Sequence, residues 1–80
     1  MITNVQIRAA RALLGWDQAR LAKAADVSVI TVKRLEAAED ELHARYETVM
    51  KIRRAVEKEG IEFIGGGGRI GVVRLQRGKR

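Results

Sequence analysis

Apolar positions in the first sixty residues recur every three or four places, the period of a helix face packed on a core. Ile7, Ala10, Arg11 and Leu14 fall at i, i+3, i+4 and i+7. "TNVQ" ahead of them fits a capping box, with Thr3 as N-cap and Gln6 reaching back, and Gly15 is a C-terminal stop. The spacing predicts a first helix from Thr3 to Leu14. Asp17 is the next N-cap, opening a second helix over Gln18–Ala25 with Leu21, Ala22 and Ala25 inward. "ADVSVITVKRLE" is rich in β-branched residues and reads as a strand by propensity alone. Yet Ser28 is an N-cap, Val32 and Leu35 repeat at i, i+3, and an isolated strand among helices has nothing to pair with. Context predicts a third helix over Ser28–Ala37. A fourth, Tyr46–Glu59, carries Val49, Ile52, Ala55 and Val56 inward and stops at Gly60. The acidic stretch between them, "EAAEDELHAR", reads as loop or a short helical turn.

After Gly60 the period changes. "IEFI" and "IGVVRLQ" flank "GGGGR", the pattern of a β-hairpin about a glycine turn. Ile61 and Phe63 are expected on one face opposite Val73 and Leu75, and Ile64, Ile70 and Val72 on the other. The domain plan is a helical unit over 1–60 and a hairpin with a basic tail over 61–80.

Charge sharpens this picture. The chain carries 16 Lys/Arg against 10 Asp/Glu, a net charge of +6, which favours a polyanionic partner, nucleic acid first. The charge is in blocks. Residues 1–34 hold six basic and two acidic side chains, 35–48 one against five, and 61–80 five against one. At 46% hydrophobic residues, the eighty-residue chain builds a core and does not belong with disordered sequences. No apolar run reaches the length of a membrane span, no signal-peptide pattern opens the chain, and there are no cysteines, so a cytoplasmic location is expected. His43 stands alone in an acidic segment, and no metal-ligand spacing surrounds it. "GGGGR" lacks the Gly-Lys-Ser/Thr and following helix of a phosphate-binding loop. No nucleophile–base pair is present. No enzyme activity, metal or cofactor is expected.

Two short helices joined by a tight turn, the second of them basic, describe a helix-turn-helix unit. Within it, "LLGWDQARLAKAADVSVITVKRLEA" resembles the DNA-binding domain of the phage repressor and Cro family, the XRE-type regulators. Leu14, Gly15, Gln18, Leu21, Ala22, Val27, Ser28, Leu35 and Glu36 stand at the matching positions, and the likeness covers roughly residues 5–60. Two positions depart from the pattern. Asp26 stands where glycine is common, and Asp17 replaces the usual Ser or Asn before the glutamine. The "GIEFI" and "GVVRL" of the tail resemble a group of small bacterial regulators of this type. The resemblance implies a mainly α fold, a lambda-repressor-like domain of four to five helices, here with a C-terminal β-hairpin.

It also implies roles. Val29 and Ile30 stand where the recognition helix starts to read bases, and apolar contact with thymine methyls is the corresponding chemistry. The competing role is inward packing or a dimer contact, and for Val29 both stay open. Arg34 matches a base-reading position, and arginine reads guanine O6 and N7 with two bonds. Lys33 serves bases or phosphates. Gln18, at a helix N-terminus, and Thr31 match backbone contacts, and Ser28 and Arg45 are added as backbone candidates. Arg11 and Glu36 resemble a buried ion pair tying the first helix to the end of the third. Trp16 is expected to pack at the core edge.

One recognition helix reads few base pairs, so a homodimer on double-stranded DNA with two half-sites is expected. Ile64, Ile70, Val72 and Val73 of the hairpin are the candidate dimer contacts. A repressor with no small-molecule effector is the leading expectation. The alternatives are a protein-binding adaptor of antitoxin or antiactivator type, and a non-specific basic DNA-binding protein.

Overall fold

The computed structural model describes residues 2–37 and 46–76. In chain order the elements are α1 (Asn4–Leu14), α2 (Gln18–Ala25), α3 (Val29–Ala37), α4 (Tyr46–Glu57), β1 (Ile61–Gly66) and β2 (Arg69–Arg74). α1 and α2 begin and end at their capping residues, and α3 begins at one. Thr3 accepts from the Gln6 amide while the Gln6 side chain accepts from the Thr3 amide, completing the capping box of α1. Ile2 and Ile7, the residues before the cap and at the fourth helical position, are both buried in one cluster, which are the positions of a hydrophobic staple. Gly15 ends α1 at φ 69°. Asp17 caps α2 through the Arg20 amide, and Ser28 caps α3 through the Thr31 amide.

The α2–α3 turn is closed by Asp26 at φ 59°, ψ 48°. It is the one non-glycine residue with positive φ among the described residues. A short polar side chain tolerates this left-handed conformation where a branched one does not.

α2 packs on α3 and α4, and α1 packs on α3 and β2. Ile7, Leu21, Val32, Ile52 and Val56 are the largest fully buried side chains, one or more from each helix. The inward residues expected from the helical spacing, including Leu21, Ala22, Ala25, Leu35 and Ala55, are in this core, and Leu14, Trp16, Val27 and Val49 pack at its edge. α4 stops at Glu57, two residues before the expected end. Glu59 and Gly60 then donate to carbonyls three residues back, the tighter winding that commonly finishes a helix. Gly60 sits at φ 93°, and a Cβ there would lie 3.1 Å from the Leu75 carbonyl oxygen. Glycine is required twice over, by conformation and by the close approach of the end of the hairpin.

The hairpin register corrects the sequence expectation by one residue. Ile61 pairs with Arg74, Phe63 with Val72, Ile64 with Gly71 and Gly65 with Ile70. The turn is the two-residue Gly67–Gly68, with φ 61° and 77°, the conformation of a type I′ turn. Because strand faces alternate, a one-residue slip sends every side chain of β2 to the other face. Val72, not Val73, shares the inner face with Ile61 and Phe63 and packs on the core. Val73 faces outward with Ile64. Ile70 has the inner parity but overhangs the core and is exposed. The expected dimer set therefore splits between two faces, and Val72 leaves it.

Gln6 holds the hairpin in place. Buried, its amide nitrogen donates to the carbonyls of Ile64 (2.8 Å) and Gly71 (2.9 Å), one on each strand of the same rung. A single side chain thus closes the N-terminus of α1 and fastens both strands to it.

Candidate nucleic-acid interface

α3 divides cleanly along its length. Val32, Leu35 and Glu36 are buried, and Val29 is half-buried against the core. Ile30, Lys33, Arg34 and Ala37 fall at i, i+3, i+4 and i+7, and all four are exposed, so they form one outward stripe. Ile30 is 61% exposed. Among the described residues, neither Lys33 nor Arg34 forms an ion pair. Val29 and Ile30, about 100° apart around the helix, fall on either side of the edge of the buried face: Val29 packs and Ile30 projects.

Ser28 and Thr31 lie at the start of α3. Their hydroxyls are 2.9 Å apart, and the Ser28 hydroxyl also accepts from the Thr31 amide. This turn is polar, and Ser28 is exposed. Gln18 opens α2. Its side-chain amide donates to a Glu36 carboxylate oxygen at 3.0 Å, which fixes the glutamine beside the end of α3. Arg45 and His43 lie outside the described residues.

Glu36 is the junction of the unit. Arg11 approaches it with two parallel bonds, Nε to one carboxylate oxygen at 2.7 Å and a terminal nitrogen to the other at 2.8 Å. The remaining terminal nitrogen of Arg11 donates to the Trp16 carbonyl at 3.0 Å. The Glu36 side chain is 3% exposed and that of Arg11 20%. Burial alone pushes the Glu36 carboxyl up. Hydrogen bonds from Arg11 and Gln18, with the charges of Arg11 and Arg8, outweigh it and hold the group below its ordinary value. The same bond to Glu36 raises Arg11 against the opposing effect of its own burial. The carboxylate is therefore ionised and paired, and it joins the last turn of α1, the first turn of α2 and the last turn of α3.

Two contacts at this junction had no signal in the sequence pattern. The Glu36 backbone carbonyl accepts from the Arg8 guanidinium and from the Asn4 side chain at 3.5 Å. A cation at a helix C-terminus meets the negative end of its dipole, so Arg8 caps α3 across space. Trp16, expected at the core edge, is there, and the Arg20 guanidinium lies 5.0 Å from its ring centroid.

No helix among the described residues is long and apolar enough to cross a membrane. The chain matches a family model described as Helix-turn-helix over residues 7–61, well over half its length. No curated protein matches it. That span starts in α1 and ends where the hairpin begins, and it contains the capped α2–turn–α3 unit and its outward stripe. The chain belongs to the XRE-type helix-turn-helix family of DNA-binding regulators.

Proposed function

We propose that this protein is a cytoplasmic repressor that binds an inverted repeat as a homodimer, with α3 in the major groove. One observation carries the reading. A large apolar side chain, Ile30, projects from the first turn of α3 on the same stripe as Lys33 and Arg34. Solvent gives no reason for that isoleucine, whereas a thymine methyl does. Arg34 one turn on has the reach and the paired donors to read a guanine, and Lys33 between them takes a base edge or a phosphate. Val29, packed on the core, contributes at most its outer edge to the groove.

Around this stripe the polar groups position the helix without reading sequence. Gln18 offers the free amides of the first turn of α2 to a phosphate, with its own side chain pinned to Glu36. Ser28 and Thr31 offer hydroxyls at the start of α3, and Arg45 adds a charge just before α4. The Glu36 junction keeps these elements in one geometry, so phosphate contacts by α2 set the depth and angle of α3. Bound across a promoter, such a dimer represses by occupancy.

The test is selection of bound duplexes from a random pool, with the wild type and with Ile30→Ala. The wild type is expected to enrich an inverted repeat with half-sites about 34 Å apart, one helical turn. Ile30→Ala is expected to lose its preference at one position in each half-site while unfolding like the wild type. Enrichment of no motif, or a collapse of stability with preference intact, overturns the assignment of this face.

A further inference from the structure

The outer face of the hairpin has a feature that nothing in the DNA-binding unit uses. By the register, Glu62 and Val73 form one rung of this face, Ile64 and Gly71 the next, and Gly66 and Arg69 the third. Ile64 and Val73 are each 38% exposed. A Cβ built on Gly71 meets nothing within 4 Å, so that rung opens onto free space beside a single isoleucine. The face therefore has an apolar centre, an acid at one end and a base at the other. The ends are four residues apart along β1, about 13 Å.

We propose that this face docks on the same face of a second copy, about a twofold axis crossing the Ile64–Gly71 rung perpendicular to the strands. The inference rests on the homodimer reading above and gives it a surface and a register. Such an axis reverses the strand direction, so Glu62 of each copy comes over the Gly66–Arg69 rung of the other. Gly66 has no side chain to obstruct it, and Arg69 lies beside it. In an isologous contact each pair occurs twice, and the two ion pairs form symmetrically. The two Ile64 side chains meet on the axis, with the bare surface at Gly71 leaving room for both. The inner face cannot serve, because Ile61, Phe63 and Val72 are committed to the core.

The size of the face fixes the strength of the contact. Two strands of six residues present about 20 Å by 10 Å, about 200 Å², a quarter of the roughly 800 Å² per partner of a standard stable interface. The protein is therefore monomeric at micromolar concentration, and the dimer assembles on adjacent half-sites, where the DNA supplies the proximity.

Charge reversal tests both the face and the register. Glu62→Arg alone, or Arg69→Glu alone, places like charges at both ends of the contact. A mixture of the two variants restores opposite charges in the mixed dimer. Each variant alone is expected to bind a single half-site like the wild type but to lose about tenfold in cooperative binding to the inverted repeat, and the mixture is expected to regain it. Methyl resonances of Ile64 and Val73, followed with concentration in the absence of DNA, read the same contact directly. They are expected to shift in the wild type and in the mixture and to stay still in either variant. Cooperativity and methyl shifts unchanged by the single reversals, or not restored by mixing, overturn the proposal. Loss of half-site recognition in the wild type itself strikes the DNA-reading assignment instead, and the DNA-free methyl shifts still decide the interface.

Discussion

Glu36→Ala is the perturbation with the largest consequence expected from this structure. The substitution removes both Arg11 bonds and the Gln18 bond, and it strips the charge that balances a guanidinium whose side chain is only 20% exposed. Breaking a buried pair by removing one partner costs about 3–5 kcal/mol. Arg11 keeps the Trp16 carbonyl and some contact with solvent, so the low end applies, about 3 kcal/mol. A domain of this length has about 4–12 kcal/mol of total stability, so this is a quarter of it or more. With a urea slope of about 1.5 kcal/mol/M, the midpoint falls by about 2 M at an unchanged slope. The melting temperature falls by about 12–24 °C. The single tryptophan adjoins the junction, so its fluorescence follows the transition. The double replacement Arg11→Met with Glu36→Leu removes both charges and is expected to recover most of the loss. Glu36→Ala unfolding within about 0.5 kcal/mol of the wild type, or a double variant no more stable than the single one, refutes a buried and coupled pair. Acid probes the same group. Because the folded carboxyl titrates below its ordinary value of 4.5, its contribution is complete above that pH and is lost as the pH falls through the folded value. Glu36→Gln should flatten this acid limb.

Three further outcomes follow from particular contacts. Gln6→Ala leaves two hairpin carbonyls without their donor, costs about 1–3 kcal/mol, and should speed amide exchange across residues 61–74 more than in α2 and α3; uniform exchange would separate the hairpin from α1. Gly60→Ala combines a positive φ with a Cβ 3.1 Å from the Leu75 oxygen and should cost more than about 1 kcal/mol in chemical unfolding, whereas a neutral result would mean that the close approach relaxes freely. Asp26→Val should destabilise by about 1–2 kcal/mol while Asp26→Gly holds or raises the melting temperature, and equal stability of the two would remove the left-handed turn from the account.

The helices were legible because each carries its own punctuation. Thr3, Asp17 and Ser28 cap, Gly15 and Gly60 stop, and the apolar spacing between them selects the buried faces. The β-branched run around Val29 and Ile30 was legible only through context, since propensity favours a strand there and helix packing overrides it. The division between those two residues is decided by how α3 seats on the core, because both lie near the edge of the buried sector. The hairpin was legible as a hairpin but not in register. Four consecutive glycines offer several positions where two neighbours take positive φ, and the fit of Phe63 and Val72 on the core, with the Gln6 bonds to the Ile64–Gly71 rung, selects Gly67–Gly68. The Arg11–Glu36 pair came from the family pattern, and the structure adds Gln18, Arg8 and Asn4 to it. Such long-range donors leave no periodic trace. Gln6 was read as half of a capping box, and its larger role, fastening a rung of the hairpin, joins residues some sixty positions apart.

The central claim is that the stripe of Ile30, Lys33 and Arg34 reads sequence. It is met most directly by titrating the selected duplex and a scrambled one over a range of salt. If the stripe reads bases, both affinities fall as salt rises, while the ratio between the two duplexes persists and shrinks in Ile30→Ala and Arg34→Ala. A steep salt dependence with no preference for the selected duplex would contradict it and leave a basic surface that binds phosphates alone.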